Sequence, residues 1–305
     1  MQPRFAFRCK SFLILVVCCA AVARAQEQSS QKPGREEQLR QAIRDALAET
    51  QGSVKTLVPA ETLEQTRGAA DAGVASAQCS LGSRYERGIG VAKNLSEAVK
   101  WFRRAAEQGF AEAQHNLGVS YAQGEGVKRD QTTAAKWYRK AAAQGFAPSQ
   151  FNLALYCFAG TGVERNLTEA ALWFRKAADQ GHPNAQFNLG ICYEKGSGVT
   201  KDSREAASWI RKAAEQGLVE AETQLAAKYM HGVGVEKDAQ EAVKWLRKAS
   251  VQGYAPAQYV LGCALLVGEG VKQDAKAASE CFRKAAAQGH QGAIEQLKSS
   301  SQTPH

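Results

Sequence analysis

A chain of 305 residues can hold two ordinary domains or one long array, and its 44% hydrophobic and 23% charged residues exclude a wholly disordered protein. The net charge of +9 is small for the surface of such a chain, so the composition does not indicate a nucleic-acid-binding protein. We therefore expect a folded protein without a nucleic-acid partner.

Residues 1–25 are predicted to be a secretory signal peptide. The first ten residues carry three basic side chains, residues 11–22 form an apolar run, and an Ala-Arg-Ala cleavage site ends at residue 25. This run is shorter than the roughly 20 residues that span a bilayer, so an uncleaved anchor is the less favoured alternative. Val17 before Cys18 argues against a lipoprotein, since a small residue is expected there. We expect an exported protein in a bacterial periplasm, with secretion or an endoplasmic reticulum lumen as alternatives.

Two short regions lead into the main part of the chain. Residues 26–58 are predicted to be a flexible mature N-terminus with one short helix, because Leu39, Ile43 and Leu47 share a helical face. Residues 59–73 are predicted to be a degenerate N-terminal half-repeat, since the string RGAADAG within them resembles a string that recurs later.

From residue 74 onward, one pattern returns every 36 residues. Leucines, glycines and tryptophans keep this step, at Leu81, Leu117, Leu153, Leu189, Leu225, Leu261 and Leu297; at Gly109, Gly145, Gly181, Gly217, Gly253 and Gly289; and at Trp101, Trp137, Trp173, Trp209 and Trp245. Such a period indicates a repeat array. We assign six repeats to residues 74–289, and a partial C-terminal cap helix and tail to residues 290–305.

Each copy of the pattern predicts two helices. In the fourth copy, Ala185, Leu189 and Tyr193 lie on one helical face, and the glycines that follow predict a turn. Asp202 is the expected N-cap of the second helix, and Glu205 is expected to complete a capping box. One such hairpin cannot bury its apolar stripe alone, so the copies are expected to stack on each other.

The recurring string A-x-A-Q-x-x-L-G-x-x-Y-x-x-G-x-G-V, followed by A-x-x-W-(F/Y)-x-K-A-A-x-Q-G, resembles the Sel-one-like repeat (SLR), a longer relative of the tetratricopeptide repeat. The resemblance covers residues 74–297. It implies an all-α protein, an α/α solenoid that forms a right-handed superhelix of six 36-residue helix-turn-helix repeats with degenerate caps. It also implies a protein or peptide partner, bound on the concave surface that the first helices line.

Variable positions of the first helices are therefore the expected partner-binding groove. The groove candidates are Phe151, Leu155, Phe158, Phe187, Ile191, Met230 and Tyr259. Aromatic side chains are common anchors of interfaces, although an aromatic residue two positions before the repeated leucine can instead pack against the next hairpin. Each second helix also ends in a basic pair, which can bind an acidic partner or satisfy the last carbonyls of its own helix; the acidic residues nearby favour the second interpretation.

The sequence predicts no catalysis, no cofactor and no metal site. It lacks a nucleophile with an orienting base, and the G-x-G of each repeat is a turn because no strand precedes it. One branch of small, cysteine-rich SLR proteins is linked to β-lactam binding or hydrolysis, but its cysteines are paired eight residues apart, a spacing absent here. We expect a non-catalytic, monomeric scaffold that contacts membranes only through its partner. A secreted effector that binds a host protein, and a β-lactamase-like activity, are the alternatives.

Five cysteines follow the predicted signal peptide, and an odd number leaves at least one thiol free or paired between chains. Cys157 and Cys192 fall at nearly equivalent places in adjacent first helices, and Cys263 and Cys281 share one repeat. Either pair is a candidate disulfide in an oxidising compartment. The alternative is that the cysteines are buried thiols that act as small hydrophobic residues.

Overall fold

The computed structural model describes residues 62–301 of the protein. The predicted signal peptide and residues 26–58, with their predicted short helix, lie outside the described residues. Residues 62–301 contain helices and no strand, and they divide into an N-terminal unit, residues 62–201, and a C-terminal unit, residues 202–301. Within this part of the chain, every helix is too short or too polar to span a bilayer.

The N-terminal unit alternates short helices with tight turns. Its helices are α1 (Leu63–Asp71), α2 (Ala75–Arg87), α3 (Leu95–Glu107), α4 (Ala111–Gln123), α5 (Gln131–Ala143), α6 (Ala147–Ala159), α7 (Leu167–Asp179) and α8 (Pro183–Lys195). Each helix packs against the one before it and the one after it within the unit. The even-numbered helices are the first helices of the repeats, and the odd-numbered helices are the second helices.

The C-terminal unit continues the same alternation. Its helices are α9 (Ser203–Glu215), α10 (Val219–His231), α11 (Ala239–Val251), α12 (Ala255–Val267), α13 (Ala275–Ala287) and α14 (Gln291–Ser301). Consecutive helices again pack against each other. The helix pairs and their packing confirm the predicted all-α solenoid of helix-turn-helix repeats.

Local capping explains why the helices begin and end where they do. At the start of α3, the Asn94 side chain accepts a hydrogen bond from the Glu97 backbone N–H at 3.0 Å, and an Asn or Asp caps every later second helix in the same way. The capping box predicted at Asp202 is only half formed, since the Glu205 side chain accepts from the Trp209 indole at 3.2 Å. Glu97 contacts Lys100 at 2.9 Å and Glu169 accepts from Trp173 at 3.2 Å, so neither glutamate returns to its N-cap.

A close backbone contact joins one repeat to the next at the second glycine of the G-x-G turn. Gly126 has φ +69°, and a Cβ there would lie 2.2 Å from the carbonyl oxygen of Leu95, the first residue of α3. The equivalent glycines meet the start of the preceding second helix in the same way, at Gly162, Gly198, Gly234 and Gly270. Gly90 makes no such contact, because the preceding α1 is a shorter helix. A Cβ on Gly90 would lie 3.9 Å from the side chain of Leu63, the first residue of α1.

A second repeated contact is a glutamine pair within one repeat, whose first member also bonds to the preceding repeat. Gln144 donates to Gln114 at 2.8 Å, and Gln114 in turn donates to the buried carbonyl of Ala106 at 3.1 Å. In the fifth repeat the position of Gln114 is taken by Glu222, which is 3% exposed and accepts from Gln252 at 3.0 Å. An ionised carboxylate has no N–H to donate to the equivalent carbonyl, that of Ala214. Burial accordingly raises the pKa of Glu222 above its ordinary value of 4.5.

The turn contact predicts a position-specific loss of stability. Gly126→Ala places a methyl group against backbone that cannot rotate away. We therefore expect the free energy of unfolding to fall by more than the about 1–2 kcal/mol that a left-handed backbone costs an alanine. Gly109→Ala is the matched control, because Gly109 has φ +91° but no atom within 4 Å of its Cβ position. Urea unfolding of both variants measures the difference. Equal losses would show that the contact with α3 is unimportant.

The glutamine pair predicts a pH-dependent gain on replacing Glu222. Because its pKa is raised in the folded state, the protonated carboxyl stabilises the fold below pH 4.5, and this stability is lost as the pH rises through the folded pKa. Glu222→Gln should therefore raise the free energy of unfolding at pH 7 by about 1 kcal/mol, and by less at pH 4. The reverse exchange, Gln258→Glu in the next repeat, should lower the free energy of unfolding at pH 7. A Glu222→Gln variant no more stable than the parent at pH 7 would contradict this account.

Candidate interaction surfaces

The first helices of the N-terminal unit lie side by side. His115 in α4 and the Ser149 hydroxyl in α6 are 2.9 Å apart, and His182, the N-cap of α8, stacks on Phe151 of α6 with ring centroids at 4.7 Å. Four of the predicted groove residues are partly exposed on α6 and α8. We call them the first-helix surface, and they are Leu155, Phe158, Phe187 and Ile191.

Three other groove candidates are interior residues. Phe151 is 2% exposed, while Met230 and Tyr259 in the C-terminal unit are each 6% exposed. Phe151 packs between His182 and Phe174, whose ring centroid is 6.0 Å away, and so takes the packing role that was the alternative for this position. The sequence pattern left both roles open for Phe151, because the covering ring, His182, comes 31 residues later.

One ring pair that contains a histidine recurs in both units. His290 stacks on Tyr259 at 4.6 Å, as His182 does on Phe151, whereas His115 takes the other position of the pair and lies between Tyr138 and Phe146 at centroid distances of 5.7 and 5.3 Å. Burial lowers the pKa of His115 and of His182 to about 4, so both rings are neutral at pH 7. These histidines pack as aromatic rings, and residues 62–301 hold no cluster of three or more metal-binding side chains.

The structure has Cys157, Cys192 and Cys281 as free thiols, so neither candidate disulfide is present in it. Cys157 and Cys192 are one helical position out of register, about 100° of rotation, so their side chains point in different directions. Cys281 takes the place of a tryptophan in the last second helix. Burial raises the pKa of Cys157 and of Cys192 to about 11, which makes both poor nucleophiles at neutral pH.

The second helices carry a repeated pair of a tryptophan and a cation three residues later. In every complete pair the cation lies 3.8–4.5 Å from the ring centroid, and the pairs are Trp101–Arg104, Trp137–Lys140, Trp173–Lys176, Trp209–Lys212 and Trp245–Lys248. In these five helices one member of the basic pair therefore lies against a tryptophan of its own helix. The last second helix, α13, has Cys281 in place of the tryptophan.

Comparison with known proteins also finds six successive repeats. The Sel1 repeat family model matches six successive segments, residues 75–110, 111–146, 147–182, 183–218, 219–254 and 255–290. No curated protein matches the chain.

Two solved structures are similar over most of the chain. A protective antigen of uropathogenic Escherichia coli strains, which displays an SLR fold, is 41% identical with a TM-score of 0.73; the match covers 75% of this chain and 49% of the antigen. This chain thus spans about half the length of that protein. A Sel1 repeat protein from Oxalobacter formigenes is 34% identical with a TM-score of 0.64, over 73% of this chain and 87% of that one.

Sel1 repeat proteins generally mediate protein–protein interactions, and their fold is typically a non-catalytic scaffold. The 36-residue period, the helix pairs and the six matched segments together confirm the resemblance drawn from the repeated string. This chain belongs to the Sel1 repeat family.

Proposed function

We propose that the protein is an exported, non-catalytic scaffold that binds a protein or peptide partner through the first-helix surface. The main support is geometric: four apolar side chains remain partly exposed on helices that are otherwise well packed. Their neighbours in the stack, including Phe151, are buried and hold the helices in place. A rigid support lowers the cost of ordering side chains on binding, and apolar anchors of this kind carry most of the energy of an interface.

The fold supports a scaffold better than an enzyme. The buried His115 and His182 are neutral, and the thiols of Cys157 and Cys192 have raised pKa values, so none of these four side chains is an activated base or nucleophile. The proposal of export rests on the predicted signal peptide, residues 1–25. Binding on a repeat surface and export are independent parts of the proposal and are tested separately.

Export predicts a defined mature N-terminus. If the signal peptide is cleaved after Ala25, the chain recovered from the exported fraction of expressing cells begins at Gln26. N-terminal peptide mass spectrometry of the fractionated cells measures this. Replacing Ala25 by Leu should leave the precursor uncut, because a bulky side chain blocks the cleavage position. An intact Met1 in a cytoplasmic fraction would contradict export.

The first-helix surface predicts which variants lose the partner. Replacing both Phe158 and Phe187 by Ser removes two apolar anchors from partly exposed positions, so we expect at least tenfold weaker capture of the partner, about 1.4 kcal/mol. Affinity capture from an extract of expressing cells, quantified by mass spectrometry, measures the loss. Thermal unfolding establishes that the variant is folded.

Leu172→Ser is the matched control for this experiment. Leu172 is 52% exposed, but it lies on the second helix α7, away from the first-helix surface. Its replacement should leave capture unchanged. Capture that survives in the Phe158 and Phe187 variant, or that is lost equally in the control, would show that the partner does not bind the first-helix surface.

A further inference from the structure

The second helix α5 differs from all the other second helices in its charge. Its sequence, QTTAAKWYRKAAA, contains three cations and no acidic residue, whereas each of α1, α3, α7, α9, α11 and α13 has at least one. The difference arises partly at Thr133, where α3, α7, α9 and α11 have a glutamate. Asp130 accepts hydrogen bonds from the backbone N–H and the hydroxyl of Thr133, at 3.0 and 2.6 Å. The Thr133 side chain therefore takes part in the N-cap of α5.

The indole of Trp137 has no glutamate of its own helix to accept from its N–H. In α7 and α9, Trp173 and Trp209 each donate from Nε1 to the glutamate four residues earlier, at 3.2 Å. In α3 and α11 that glutamate is present, but the indole nitrogens of Trp101 and Trp245 are buried without a hydrogen bond. Trp137 in α5 is partly exposed, as Trp173 is, and it has no glutamate at the corresponding position. Its N–H can therefore reach an acceptor that comes from solution.

The surroundings of Trp137 combine a mostly apolar depression with cations at its edge. This open depression of about 510 Å³ lies along α5, with Thr133, Lys136, Arg139 and Ala143 among its lining residues. Lys136 and Lys140 are exposed, and the nitrogen of Lys140 is 4.1 Å from the Trp137 ring centroid. Arg139 forms an ion pair with Glu169 at 3.0 Å. The depression thus has no carboxylate of its own helix, and Glu169, the carboxylate beside it, is already paired with Arg139.

We propose that this α5 surface, defined by Thr133, Lys136, Trp137, Lys140 and Ala143, binds an acidic peptide segment of a partner protein. A Glu or Asp side chain of the partner accepts from Trp137 Nε1, as Glu169 and Glu205 do for their own tryptophans, and lies beside Lys136 and Lys140. An apolar neighbour in the partner segment packs on the exposed edge of the ring and on Ala143. The α5 surface is separate from the first-helix surface and does not depend on it.

Indole N–H signals provide a direct test. The five tryptophans give five Nε1–H signals in a ¹⁵N correlation spectrum of the mature chain, and Trp137→Phe identifies the one from Trp137. We expect acetyl-Glu-Leu-Glu-amide to shift this signal saturably, with a dissociation constant on the order of millimolar. The shift should weaken in 0.5 M salt, because exposed charges are screened within roughly 4 Å at that ionic strength. The peptide acetyl-Gln-Leu-Gln-amide should leave the signal in place.

Thr133→Glu is the decisive variant. It supplies in α5 the glutamate that α7 and α9 already carry, so the fold is retained, the four other indole signals stay unchanged, and the Trp137 signal no longer responds to the Glu peptide. A response that persists in Thr133→Glu, an equal response to the Gln peptide, or no response at all would overturn the proposal. So would phosphatidylglycerol vesicles that shift the Trp137 signal when the Glu peptide does not, since this would indicate a lipid surface instead.

Discussion

The contact between the second turn glycine and the start of the preceding second helix is the constraint on which the rest of the structure depends. At Gly126 the backbone approaches the first carbonyl of α3 so closely that no side chain fits. A left-handed φ and a backbone neighbour require glycine for two independent reasons at one position. Because the contact joins a turn to a helix end, it fixes both the distance and the register of adjacent repeats. Insertion of a single residue in either hairpin would break it.

With the register fixed, the interior between first helices can vary in chemistry without changing its geometry. The ring pairs show this: His115 contacts Phe146, and Phe151 contacts His182, so the histidine is at a different position of the pair in each case. Each pair places a flat, uncharged ring in the interior. Burial keeps the histidine ring uncharged, since it lowers the pKa of His115 and His182 to about 4. Neutral histidine thus replaces phenylalanine here. At His182 the ring nitrogen also accepts a hydrogen bond from the Ala185 backbone N–H and so caps α8.

Much of this fold can be predicted from the sequence because its rules are local or periodic. The N-caps, the turn glycines and the 36-residue step are all visible in the printed chain, and the structure has helices where they predict them. The burial of Phe151 could not be predicted in the same way, because it depends on a ring 31 residues away whose position is set only when the repeats stack. The structure leaves Cys157 and Cys192 unpaired for a related reason, since one residue of register turns a helical side chain by about 100°.

The outer face of the second helices shows how single substitutions redirect one hydrogen bond. In α11, Lys244 precedes Trp245 and donates to Glu241 at 2.7 Å, so the indole nitrogen of Trp245 is buried without a partner. In α9 the residue before the tryptophan is a serine, and the glutamate accepts from the indole. The helix is unchanged in both cases, because the glutamate serves neither the cap nor the core. Positions of this kind can change their polar chemistry at little cost to the fold. In a chain whose interior is fixed by repetition, they are where one repeat can acquire a surface that its neighbours lack.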